Sequence, residues 1–184
     1  MRSVTDALRG WLGRLVDSVR RAFGLGVPPV PREPVSLRPI GVVRNSVREP
    51  QPFGWEDVRS DVIVRDELSA ALDGIEAYSH IIVVFSFHRV PDEARDVLRL
   101  RPMNDPRFPE QGVLATRSQR RPNGLGVAVV PLLRRRRNIL RVRGLDAIDG
   151  TPVLDVKPYL PMYDSVADAQ VPDWLLHPPE DASQ

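Results

Sequence analysis

Between residues 40 and 145 the chain breaks into short runs rich in valine and isoleucine, at 40–43, 61–65, 80–88, 112–116, 127–133 and 139–145. Each is bounded by Gly, Pro or Asn, the punctuation of strands and tight turns. No other feature constrains the fold as strongly. Only 67–72 and 92–98 read as helical turns, too little helix for the crossovers that parallel strands require. The expected architecture is therefore mainly β, a small antiparallel sheet closed into a barrel and carrying short helices. A GxGxxG turn between strand and helix is absent, so a doubly wound nucleotide-binding sheet is not supported.

Outside those runs the texture changes. Residues 4–23 place Leu8, Trp11, Leu12, Leu15, Val19 and Phe23 at spacings of three and four, an apolar stripe opposite an Arg-rich face. That pattern predicts an N-terminal amphipathic helix. Packing against its own domain or a dimer mate is the favoured role, with membrane or partner docking as the alternative. A proline-rich spacer, VPPVPREPVS, follows at 27–36. The expected divisions are 1–36 for helix and linker, 37–163 for the barrel and 164–184 for an acidic tail around Trp174, draped on the surface or frayed. Net charge follows the same divisions, at +3, +4 and −5. The arginines of the middle segment cluster at 117–121 and 134–143, as phosphate binding would require.

The 184 residues suffice for one domain with an appendage. The chain has no cysteine, which excludes disulfides, thiolate metal sites and cysteine nucleophiles. Its three histidines, His80, His88 and His177, lack metal-ligand spacing, so no metal is expected. There is no run of about 20 apolar residues and no secretory signature, and a cytoplasmic protein is expected.

Three stretches carry candidate chemistry. In GIEAYSHIIVVFSFH (74–88) a buried strand is flanked by His80 and His88, and a strand-end histidine is more often a satisfied rim residue than a catalyst. In GVLATRSQRRPNGLGVAVV (112–130), arginines beside a Pro-Asn-Gly turn suit a loop that clamps a carboxylate or phosphate; a solvated loop is the alternative. In GLDAIDGTPVLDVKPYLPMYD (144–164), Asp146, Asp149 and Asp155 precede Lys157, the single lysine among 26 basic residues. Either these carboxylates meet a cationic ligand, or Asp155 and Lys157 form an ion-paired corner, with Pro158 holding the lysine extended.

RPIGVVRNS, GIEAYSHIIVVFSFH, GVLATRSQRRPNGLG and LDAIDGTPVLDVKPYLP, in this order, resemble the TrmO (TsaA-like) family over about residues 37–163. The resemblance implies an antiparallel β-barrel working as a homodimer. It also implies S-adenosyl-L-methionine as cofactor and N6-methylation of threonylcarbamoyladenosine beside the tRNA anticodon. Carried over by position, cofactor contacts fall on His88, Arg89, Arg117, Val127, Asp146, Asp149, Gly150 and Thr151. Pro50 and Gln51 join them as a partial echo of the family's Pro-Arg-Gln segment. Arg120, Arg121 and Asn123 are the candidate RNA contacts. Asp155, Lys157 and Tyr159 are the candidate catalytic group; Asp155 or solvent would take the acceptor's proton, and Lys157 would pair with Asp155. Arg134–Arg137, between two strand runs, are expected at a hairpin tip, either as a solvated loop or in contact with RNA phosphates. The alternatives are methylation of a non-tRNA acceptor, or a cofactor- or nucleotide-binding module regulating a partner.

Overall fold

The computed structural model describes residues 33–177 together with Leu15, Val16, Ser18, Val19 and Ala22. Contacts divide the chain into two units, 1–36 and 37–184. In the first, the five described residues before Glu33 are helical and exposed; the rest of the expected amphipathic helix lies outside the described residues, as does the tail beyond His177.

The second unit is built on eight strands: β1 (Gly41–Arg44), β2 (Arg59–Val64), β3 (His80–Ser86), β4 (Arg99–Leu100), β5 (Gln111–Gly112), β6 (Leu125–Arg136), β7 (Ile139–Arg143) and β8 (Pro152–Pro158). Six close an antiparallel barrel in the order β1-β2-β7-β6-β3-β8, while β4 and β5 pair apart from it. Period-two alternation fills the interior. Val62 and Val64 of β2, Ile81, Val83 and Phe85 of β3, and Leu140 and Val142 of β7 are all buried.

Several sequence expectations shift at their edges. The run 80–88 leaves the sheet after Ser86, because the His88 amide donates to the Ser86 carbonyl (2.8 Å) and the Val90 amide to that of Phe87 (3.2 Å). The run 112–116 is not a strand beyond Gly112. Val113–Ala115 forms a 3-10 turn, closed where the Thr116 hydroxyl donates to the Val113 carbonyl at 2.8 Å. The strand β8 falls in the stretch read as a turn and an extended corner, and its prolines stand at the two ends, where a missing N–H costs the ladder least.

The arginine run is also corrected. The β6–β7 hairpin turns at Arg137-Asn138, with Arg137 at φ 54°, while Arg134–Arg136 lie within β6. Arg135 faces back onto the barrel, donating to the Leu72 and Ser69 carbonyls and pairing with Asp73 (2.7 Å) and Glu76 (3.2 Å). It anchors the 3-10 turns at Asp66–Leu72 and Ile75–Ala77 and is not available to phosphate. In the acidic tail, Trp174 meets the ring of buried Phe108 edge-on at 5.8 Å.

Candidate active site

Four segments meet where β3 ends and β8 begins: the β1–β2 loop, the turn after Ser86, the loop between β5 and β6, and the loop from β7 into β8. Phe85 forms their floor, paired across the sheet with Gly126 of β6 and Val153 of β8. Gly126 is required there, since a Cβ would lie 2.3 Å from the Phe85 ring. Above Phe85 opens a cleft of about 270 Å³, and its walls include Trp55, Phe87, His88, Arg117, Asp146 and Ile148. A broader hollow of about 600 Å³ continues it along β6, sharing Phe85, Phe87, Arg117 and Asp146.

Seven of the ten residues expected to contact a cofactor line this cleft: Pro50, Gln51, His88, Arg89, Arg117, Asp146 and Thr151. Val127 lines the adjoining hollow, and its carbonyl accepts from Arg117 Nη2 at 2.8 Å. The cleft walls desolvate the Asp146 carboxyl and push its pKa up, against its own backbone hydrogen bond and the attraction of Arg117. Desolvation also pushes His88 down, helped by Arg89 and opposed by a hydrogen bond with the Ser86 backbone, so its imidazole stays neutral at neutral pH.

Asp149 and Gly150 do not line the cleft. Asp149 is only 7% exposed and accepts from the Asn45 amide (3.1 Å) while pairing with Arg44 (3.2 Å) and Arg48. Burial alone would raise its pKa; the Asn45 amide and the two guanidiniums outweigh that and hold it below the usual carboxylate range. Asn45 completes the knot by donating to Ser60 Oγ (2.9 Å) and the Ala147 carbonyl (2.8 Å). Asp149 therefore binds the β1–β2 loop, with Pro50 and Gln51, to the loop that carries Asp146. Gly150 permits this turn at φ 82°, a left-handed conformation that side chains resist.

The candidate catalytic group lies elsewhere. Asp155 and Lys157 project from the outer face of β8, paired at 2.6 Å and 45% and 63% exposed. Tyr159 follows them, edge-on to His80 at 6.4 Å. The ion-paired reading of the lone lysine matches this geometry, and no member of the group lines the cleft of its own chain. Of the RNA candidates, Arg121 turns back onto its loop, donating to the Thr116 carbonyl at 2.6 Å and the Ser118 carbonyl at 3.1 Å. Arg120 and Asn123 are exposed.

Sequence reasoning assigned no role to Trp55, Phe87, Asn45, Arg48 or Arg95. Arg95 braces the His88 turn, donating to the carbonyls of Phe87 (3.1 Å) and Val90 (3.0 Å). The space it occupies exists because residue 124 is glycine. Of these, only Asn45, inside the RPIGVVRNS block, and Phe87, inside GIEAYSHIIVVFSFH, lay in stretches that the sequence singled out.

Comparison with known proteins gives this arrangement a family. The model of the tRNA-methyltransferase O N-terminal domain matches residues 46–165, well over half of the chain. The chain belongs to the TrmO family. A relative from Pyrococcus abyssi, described as a probable S-adenosyl-L-methionine-binding protein, is 38% identical over 148 residues, covering 77% of this chain and 76% of its own. The tRNA (adenine(37)-N6)-methyltransferase of Escherichia coli is 40% identical over 145 residues, covering 71% of this chain and 60% of its own. The crystal structure of TrmO from Pseudomonas aeruginosa superposes with a TM-score of 0.60 at 34% identity, over 75% of this chain and 62% of the other. The chain thus spans less than two thirds of those last two relatives. The barrel expected of a TrmO-family chain is the one observed.

Proposed function

We propose that this TrmO-family barrel is an S-adenosyl-L-methionine-dependent methyltransferase whose acceptor is N6 of threonylcarbamoyladenosine in tRNA. The observation that carries the reading is the cleft itself, in which Asp146, an exposed residue whose pKa is raised by partial desolvation, stands among aromatic walls and flanking guanidiniums. That donor set suits the cofactor's chemistry: Asp146 for its cationic centre, Arg117 and Arg89 for its carboxylate, and Trp55 with Phe87 and Ile148 for its flat base. When bound, S-adenosyl-L-methionine supplies a methyl group on positively charged sulfur. The chain contributes orientation. Phe85 excludes water from the floor, Arg95 fixes the His88 turn, and the Asp149 knot holds the two loops in register before ligand arrives. His88, kept neutral, is the cleft group positioned to accept the acceptor's proton at an imidazole nitrogen. Asp155 would serve that role only toward a neighbouring chain.

Assembly as a homodimer belongs to the same proposal. Val127 and Val129 stand on the outer face of β6 at 46% and 51% exposure, directly beside Val84 and Ile82 of β3. An apolar strip of this kind, next to the Asp155–Lys157 pair, suits a second copy. Acting on tRNA, the protein would work in the cytoplasm.

Calorimetry with S-adenosyl-L-methionine, paired with mass spectrometry of tRNA nucleosides from a strain lacking the protein, tests the reading. Methylated threonylcarbamoyladenosine should disappear in that strain and return with the wild-type chain but not with Asp146→Asn. Cofactor binding with unchanged tRNA nucleosides would move the acceptor elsewhere. Absence of cofactor binding would end the methyltransferase reading.

A further inference from the structure

The barrel carries a second chemically distinct surface, on the outer face of β2, β7 and β6. Strand register brings Arg59 opposite Arg143, Asp61 opposite Arg141, and Ile63 opposite Ile139 between β2 and β7. Between β7 and β6, Arg141 lies opposite Arg134 and Ile139 opposite Arg136. Five of these eight outward positions are arginine and one is an acid. That acid is already committed: Asp61 takes both Nε and Nη2 of Arg141 at 2.7 Å. Arg59, Arg134, Arg136 and Arg143 are exposed and have no ion-pair partner among the described residues. Like charges directly opposite across a sheet destabilise it; Arg59 faces Arg143 with no acid paired to either among the described residues, while Asp61 is shared by Arg141 and Arg134. Arg134, Arg136 and Arg141 also line a hollow of about 130 Å³ together with Ile139 and Asp61, whose carboxylate is held by Arg141.

The face adjoins the loops that form the cleft, since β2 follows the β1–β2 loop and β7 precedes the loop that carries Asp146. Arg59 and Arg143 stand at the cleft end of their strands, while Arg136 stands at the far hairpin. Rows of side chains over three strands span about 10 Å by 13 Å from ordinary strand spacing and rise. We propose that this face seats the phosphodiester backbone of the substrate RNA, with a phosphate between Arg134, Arg136 and Arg141, and leads the strand toward the cleft rim. The inference rests on the tRNA reading above. Phosphate contacts of this sort position a nucleic acid without reading its sequence, and each displaces counterions.

The test is the affinity of the full chain for tRNA as a function of KCl. It compares wild type, Arg59→Ala/Arg143→Ala, Arg134→Ala/Arg136→Ala and the fourfold combination, with S-adenosyl-L-methionine affinity measured on each. Each lost contact should flatten the slope of log affinity against log salt by roughly 0.7 to 0.9, so the fourfold variant loses about three. Its tRNA affinity should fall by about tenfold or more near physiological salt, while cofactor affinity holds. If wild type binds tRNA and the variants keep its slope, the face is not the RNA seat and the methyltransferase reading stands. If wild type binds cofactor but no tRNA, both the seat and the tRNA reading fall together. The two double variants keep the comparison open should the fourfold one not fold.

Discussion

Asp146 and Asp149 are three residues apart in one loop, yet their surroundings drive them in opposite directions. The first is desolvated beside a cleft and ionises later than an ordinary aspartate; the second is gripped by an amide and two arginines and ionises earlier. A cationic ligand at Asp146 would draw that pKa back down, so binding and ionisation are linked. Affinity for S-adenosyl-L-methionine should therefore weaken as pH falls through the raised pKa of Asp146, starting above the value of 3.8 typical of free aspartate. Asp146→Asn should lower affinity roughly tenfold to a hundredfold at pH 7.5 and abolish that acid limb, as calorimetry from pH 4 to pH 8 would show. A limb that persists in the variant would assign it to another group. The sequence placed both aspartates in one motif and could not separate them. Their division of labour depends on the left-handed turn at Gly150 and on Asn45, about a hundred positions away.

At the scale of elements, β3 matters most, because it joins β6 to β8 and ends in the cleft floor. Phe85 reaches its buried place only because Gly126 leaves the facing position open. In Gly126→Ala the new methyl must displace the ring, so the barrel should lose about 1–3 kcal/mol in urea unfolding and bind cofactor more weakly. Wild-type values for both would show that the floor is more compliant than its packing implies. The strands with period-two alternation were legible because burial on one face writes itself into every second residue. The strand β8 was not, since its prolines and Asp-Gly-Thr turn signals dominate the local text, whereas the pairing partners that make it a strand are distant. The run at 112–116 failed in the other direction: valine and leucine suggested a strand, but a threonine hydroxyl closed a turn instead.

Across the barrel as a whole, acidic pH should act through carboxylates with lowered pKa values. The side-chain bond from Arg141 is the largest influence on Asp61, and together with Asp149 it titrates below its unfolded value of 3.8. Their stabilisation is complete above that value and is lost as pH falls below it, through the lower folded pKa values. Urea midpoints should hold down to about pH 4 and drop steeply beneath it, and Asp149→Asn should start lower but fall less on acidification. An unaltered acid drop in that variant would remove Asp149 from the account. The barrel itself has one narrow join: β1 meets β8 through only two paired positions, Gly41 with Val153 and Val42 with Pro152, whereas β3 and β6 share seven. The two loops tied by Asp149 leave the sheet from the two sides of that join. Past those positions the loops finish the closure, the Val43 amide donating to the Thr151 carbonyl and the Gly150 amide to the Val43 carbonyl, each at 2.9 Å, so the knot that orders the site also seals the barrel.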